Sequence, residues 1–159
     1  MASILIIGDG ASIPNWATAL RQDDHTVETL PSAMDLPGAL EDWYDPIDII
    51  IVDVANPDSG EAMPIAQAQS LWPGCKIIAV TSGYSFRGSA FFQMGLWSPD
   101  QLLLKPLNLR IMSATVAFLW AQIRTERLRD IITSAKNCDM IYDRPRHEDD
   151  PMALPFPGE

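Results

Sequence analysis

The chain carries only two cysteines, Cys75 and Cys138, and two histidines, His25 and His147. Two cysteines without a short metal-type spacing give neither a disulfide framework nor a zinc site, and each reads as a small apolar filler or a surface thiol. The histidines have no partner pattern and read as solvent-facing. No Ser/His/Asp or Cys/His arrangement is visible, and the chain is expected not to be an enzyme. Long apolar runs are missing as well. Residues 4–7 are too few for a signal peptide or a membrane span and follow no basic segment, so the expectation is a cytoplasmic chain without membrane contact. Positive charge is scarce: 11 Lys and Arg face 21 Asp and Glu, for a net of -10. The imbalance is uneven, at -9 over residues 1–107, +3 over 108–136 and -4 over 137–159. An acidic body of this kind repels nucleic acid at long range, which removes that class of partner.

What is present is a set of short apolar runs separated by helical patterns. With 159 residues, 47% of them hydrophobic, the chain has the makings of one domain. The most telling run is residues 49–52, Ile-Ile-Ile-Val, an unbroken β-branched stretch suited to a central parallel strand covered on both faces. It delivers Asp53 to its carboxyl end, and the turn residues Pro57, Asp58, Ser59 and Gly60 follow. Residues 3–7 predict a first strand, ended by Gly8, Asp9 and Gly10. Thr26 to Leu30, Lys76 to Thr81 and Leu102 to Leu104 predict three more, the last closed by Lys105 and Pro106.

Helical spacing lies between them. Ile13, Trp16, Ala17 and Leu20 form one stripe, with Ser12 as its expected N-cap and Pro14 tolerated in the first turn. Leu36, Ala39, Leu40 and Trp43 form a second stripe. Ala62, Ile65, Ala66, Gln69 and Leu71 form a third, stopped by Pro73 and Gly74, and Phe86, Ala90, Phe91 and Met94 a fourth. From Asn108, Leu109, Met112, Val116, Leu119 and Ile123 recur at steps of three and four, and Leu128, Ile131, Ile132 and Ala135 carry the pattern on. Strict strand–helix alternation predicts an α/β three-layer sandwich around a five-stranded parallel sheet, with strand order 2-1-3-4-5 as the expected solution and an extended C-terminal helix.

That order brings the ends of strands one and three together, and with them Asp9 and Asp53. Two carboxylates at neighbouring strand ends repel unless a cation intervenes, and hard oxygen donors suit Mg2+. Thr81 and Lys105 end the next two strands, so a hydroxyl and an ammonium reach the same edge and can hold the oxygens of an anion there. A phosphoryl group on Asp53, formed by carboxylate attack on phosphorus, fits that set. Gly8, Asp9 and Gly10 do not make a dinucleotide loop, because Ile13 stands where the third glycine of G-x-G-x-x-G belongs. A flavin-binding reading meets Pro14 where backbone amides would have to converge on a phosphate.

Over nearly all of its first 120 residues the sequence resembles the receiver domain of bacterial two-component response regulators. SILIIGD, Asp48 and Asp53 in D-x4-D, Pro57, Gly60, AVTS at 79–82 and LLLKP at 102–106 carry the likeness. The resemblance implies phosphorylation of Asp53 by a histidine kinase or phosphotransfer protein, or by a small phosphodonor. It implies Mg2+ held by Asp9, Asp53 and the Ala55 backbone carbonyl, with Thr81 and Lys105 on the phosphate. Two positions depart from the pattern. Gly8 replaces the first of a usual acid pair, which is expected to weaken the metal site, and Leu102 replaces the Tyr or Phe that rotates inward on activation.

On this reading residues 1–122 form the receiver, 123–136 extend its last helix, and 137–159 are an acidic, proline-containing tail expected to be extended or disordered and flexible. Too few residues follow the sheet for an output domain, so the expectation is a stand-alone response regulator that signals by protein contact. The alternative is a phosphorylation-independent pseudo-receiver acting as an interaction or dimerisation module. A helix from Asn108 to about Lys136 would span on the order of 40 Å, more than a small sheet covers. Its overhang would meet either a second copy of the chain or the tail folded back, with the homodimer preferred.

Overall fold

A computed structural model describes residues 1–42, 45–54, 62–82 and 98–142. Its elements run β1 (Ser3–Ile7), α1 (Ile13–Gln22), β2 (Thr26–Leu30), a 3-10 turn at Ala33–Asp35, α2 (Leu36–Asp42), β3 (Ile49–Val54), α3 (Ala62–Leu71), β4 (Lys76–Thr81), β5 (Gln101–Leu104) and α4 (Leu109–Tyr142). The expected helix over residues 85–95, the turn at 57–60, Ala55, His147 and the tail beyond Tyr142 lie outside the described residues. Compact packing divides the chain into Met1–Arg124 and Thr125–Glu159.

The five strands form one parallel sheet in the order β2-β1-β3-β4-β5. β3 is central because its side chains are apolar on both faces, and Ile49, Ile50, Ile51 and Val52 have no exposed surface. Each such isoleucine contributes about 1.5–3 kcal/mol of transfer free energy. Alternation along the strands sorts the core into two layers. Ile4, Ile6, Ile49, Ile51, Ile78 and Val80 face α1 and the Met112, Val116, Leu119 and Ile123 stripe of α4. Leu5, Ile7, Ile50, Val52, Ile77 and Ala79 face Leu36 of α2 and Ile65 and Ala68 of α3.

Local chemistry departs from the sequence expectation at several places. Ser12 makes no side-chain cap, because it is already in the helical region at φ -80° and ψ -18°. Its carbonyl instead accepts from Asn15 and Trp16, at 3.1 and 3.2 Å. The buried face of α3 is Pro64, Ile65 and Ala68, continued by half-buried Trp72, while Leu71 is exposed. The spacing 65, 68, 72 is the true stripe, one residue out of phase with Leu71. Gly74 then stops the helix at φ +93°, a conformation that disfavours any side chain. β3 continues one residue past Asp53, to a buried Val54. α4 runs beyond Lys136 to Tyr142, into the segment expected to be extended.

His25 is half-buried rather than solvent-facing, and its Nδ1 accepts a hydrogen bond from the Ala2 N–H at 3.1 Å. Burial, followed by the nearby N-terminal charge, holds its pKa below the ordinary 6.5. Cys75 is buried and its thiol is pushed up to about 12, by desolvation first and then by Asp48 and Asp100. Cys138 is exposed. Among the described residues, no helix is long and apolar enough to cross a membrane.

Candidate functional site

The carboxyl end of the sheet is positioned by clasps at its opposite end. Just before β3, the Asp48 carboxylate is buried and its Oδ2 accepts from Ser3 N–H at 2.8 Å. The Asp48 backbone pairs on both sides, N–H to Ser3 carbonyl and carbonyl from Lys76 N–H, each at 2.9 Å. Asp100, just before β5, repeats the device: its Oδ2 accepts from Ile77 N–H at 2.7 Å. These bonds hold β1, β3, β4 and β5 in register, so their far ends arrive together. Sequence reading missed Asp100, although its place before an apolar run, the same as that of Asp48, was the available signal.

At the far end, register sets who meets whom. Asp53 pairs with Val80 and Val54 with Thr81, and Thr81 pairs with Leu104. Asp53 therefore lies on the face of Ile49 and Ile51, and Lys105, two residues past Leu103, reaches that same face. The Lys105 Nζ ion-pairs with Asp53 Oδ1, with the carboxylate side chain 11% exposed and the lysine 34%. The approach balances charge without hydrogen-bond directionality, so Asp53 Oδ1 is buried with no directed donor. Lys105 N–H also donates to the Thr81 carbonyl at 2.9 Å, tying the ends of β4 and β5. The peptide bond from Lys105 to Pro106 is cis.

Thr81 is buried at the neighbouring strand end. By alternation its side chain belongs to the opposite face, with Ile77 and Ala79. The structure thus joins Asp53 and Lys105 directly and Thr81 through register. Asp9 is exposed just beyond β1. The residue that flanks Asp53 closely is Gly8: a Cβ built there would stand 2.8 Å from Asp53 Cβ. One built on Gly10 would stand 3.0 Å from Asp53 Oδ2. Leu102, on β5, packs half-buried against the second core layer.

No family model and no curated protein matches the chain. Solved structures do. A CheY-like response regulator receiver domain protein from Methanospirillum hungatei JF-1 superposes at a TM-score of 0.65 with 23% identity, covering 79% of this chain and 98% of that one. The chain has the receiver-domain fold. The receiver domain of the TMAO respiratory system response regulator TorR gives 0.63 at 23% identity, covering 77% and 99%. A two-component response regulator from Clostridium difficile gives 0.63 at 18%, covering 77% and 98%. The pair of Asp53 and Lys105 lies at the carboxyl ends of β3 and β5, the edge at which open α/β sheets build sites.

The residues there supply only part of a hard-cation site. Asp53 Oδ1 has no directed hydrogen-bond donor but carries the Lys105 ammonium, and Asp9 is exposed beyond the end of β1. Among the described residues, however, no group of three or more His, Cys, Asp or Glu gathers in metal-binding range, and Gly8 offers no oxygen from a side chain. Such a donor set needs water and backbone carbonyls to complete an octahedron.

Proposed function

We propose that the chain is a response regulator receiver in phosphorelay signalling. It accepts a phosphoryl group on Asp53 from a histidine kinase or phosphotransfer protein and signals by protein contact. The observation that carries this reading is the ion pair between Asp53 and Lys105 at the carboxyl ends of β3 and β5, within a receiver fold. An Asp53 oxygen attacks phosphorus, the bond to the donor's leaving group breaks, and an acyl phosphate forms. Lys105, which pairs with Asp53, would neutralise the transferred oxygens. Thr81 holds a phosphoryl oxygen once the group bends over the strand ends. Asp9, Asp53 and the Ala55 carbonyl would hold Mg2+, which supplies neutralisation of charge on the phosphoryl oxygens.

Leu102 offers no ring to rotate, so output does not run through an aromatic swing at that position. The domain limits proposed are a receiver over residues 1–122 and a helical extension beyond it. The extension exposes Leu128, Ile131 and Ile132, an i, i+3, i+4 stripe that we assign to a second copy of the chain. Serine at all three positions should convert a dimer to a monomer in sedimentation velocity.

The central test is incubation with Mg2+ and acetyl phosphate, read by intact mass, and with beryllofluoride, read by tryptophan fluorescence; a solved structure of this fold is the BeF3-activated DrrB receiver domain. The expected result is one added phosphoryl group, abolished by Asp53→Asn. An unchanged mass at millimolar Mg2+ overturns it in favour of the pseudo-receiver, a reading that Gly8 favours because it removes a metal-site acid.

A further inference from the structure

Gly8 need not be only a lost acid. Its backbone is pinned, because its N–H donates to the Leu30 carbonyl at 2.9 Å and Ile7 before it pairs with Val52. A Cβ at this position would meet Asp53 Cβ at 2.8 Å and Ile13 Cδ1 at 3.1 Å. Asp53 Cβ cannot readily withdraw, whereas Ile13 Cδ1 need give only a few tenths of an ångström. Asp53 Cβ is fixed directly to β3, which is hydrogen-bonded to strands on both sides. Ile13 opens α1 and is buried in the core. The φ of Gly8 lies outside the left-handed region, so the demand is for space and not for conformational freedom.

Gly10 differs in degree. A Cβ there would meet only Asp53 Oδ2, the mobile end of the side chain, at 3.0 Å, and Gly38 in α2 has nothing within 4 Å. The three glycines therefore grade from rigid obstruction through soft contact to open space.

We infer that Gly8 is a positioning residue for Asp53: bare backbone at residue 8 is what lets Asp53 sit this close against β1, and that close approach shuts out a second acid at this position. This rests on the reading of Asp53 as the phosphoryl acceptor and adds the regulation of that site. The resting counter-charge is the tethered Lys105 ammonium, and a carboxylate at residue 8 does not rebuild a three-acid cation site.

The test compares Gly8→Ala, Gly8→Asp and Gly38→Ala by urea unfolding, and titrates wild type and Gly8→Asp with MgCl2 alone by calorimetry. Gly8→Ala is expected to lower the urea midpoint while Gly38→Ala leaves it unchanged or raises it. In an Ile13→Val background, which removes Cδ1, the loss caused by Gly8→Ala should shrink. Gly8→Asp should bind Mg2+ no more tightly than wild type. A Gly8→Asp protein with the wild-type midpoint and Mg2+ affinity raised about tenfold or more, a gain of about 1.4 kcal/mol, would overturn the inference. So would a Gly8→Ala midpoint equal to that of wild type. Should Gly8→Asp fail to fold, Gly8→Ala and its Ile13→Val partner still decide. Because none of these readouts requires phosphorylation, failure of the phosphoryl-acceptor reading would show separately in the acetyl phosphate experiment.

Discussion

Replacing Asp48 with alanine removes the side-chain clasp between β1 and β3. The backbone of residue 48 keeps its partners on Ser3 and Lys76, so the variant removes the carboxylate that accepts from Ser3 N–H at 2.8 Å. That acceptor is charged and buried, which puts its loss at about 1.5–3 kcal/mol. For a chain of this length the same loss lowers Tm by roughly 3–12 °C. Asp48→Asn retains an oxygen in the same place and should lose about 1 kcal/mol. The assay is urea unfolding followed by far-UV circular dichroism, with a falling midpoint at constant m-value as the sign that stability alone has changed. An Asp48→Ala protein within about 0.5 kcal/mol of wild type would mean that the clasp does not hold the strands in register.

Lys105→Met leaves the Asp53 carboxylate, 11% exposed, without its cation, and should destabilise by about 1–3 kcal/mol, between the values for exposed and buried pairs. Combined with Asp53→Asn it should cost less than the two losses summed, and strict additivity in urea would refute the pairing. His25 must be neutral at Nδ1 to accept from Ala2, and its folded pKa lies below 6.5. Its contribution is therefore complete above that value and is lost as pH falls through the folded pKa. His25→Ala should flatten that part of the midpoint-against-pH curve, and an identical slope in both proteins would count against it. With Ellman's reagent the native chain should show one fast thiol, the exposed Cys138, while buried Cys75, its thiol near 12, reacts only after unfolding. Two fast thiols in native protein would contradict the burial.

The sheet was legible because a two-sided core leaves β-branched runs no alternative. Residues 49–52 and 76–81 could only be interior strands, and right-handed crossovers then left few orders for five of them. What escaped were features that depend on phase or on distant partners. Leu71 and Trp72 are adjacent, and only packing tells which of them faces the sheet. His25 gains its partner from Ala2, just before β1 and 23 residues away. Asp53 and Lys105 were readable as strand-end groups, but which residue presses on Asp53 was not. The period-two alternation that makes strands recognisable also puts Gly8, rather than Asp9, on the Asp53 face.

The same alternation separates Asp53 from Thr81. One belongs to the layer that carries α1 and α4, and the other to the layer that carries α2 and α3. Any ligand that grips both must curl around the lip of the sheet and so touch both layers of the sandwich.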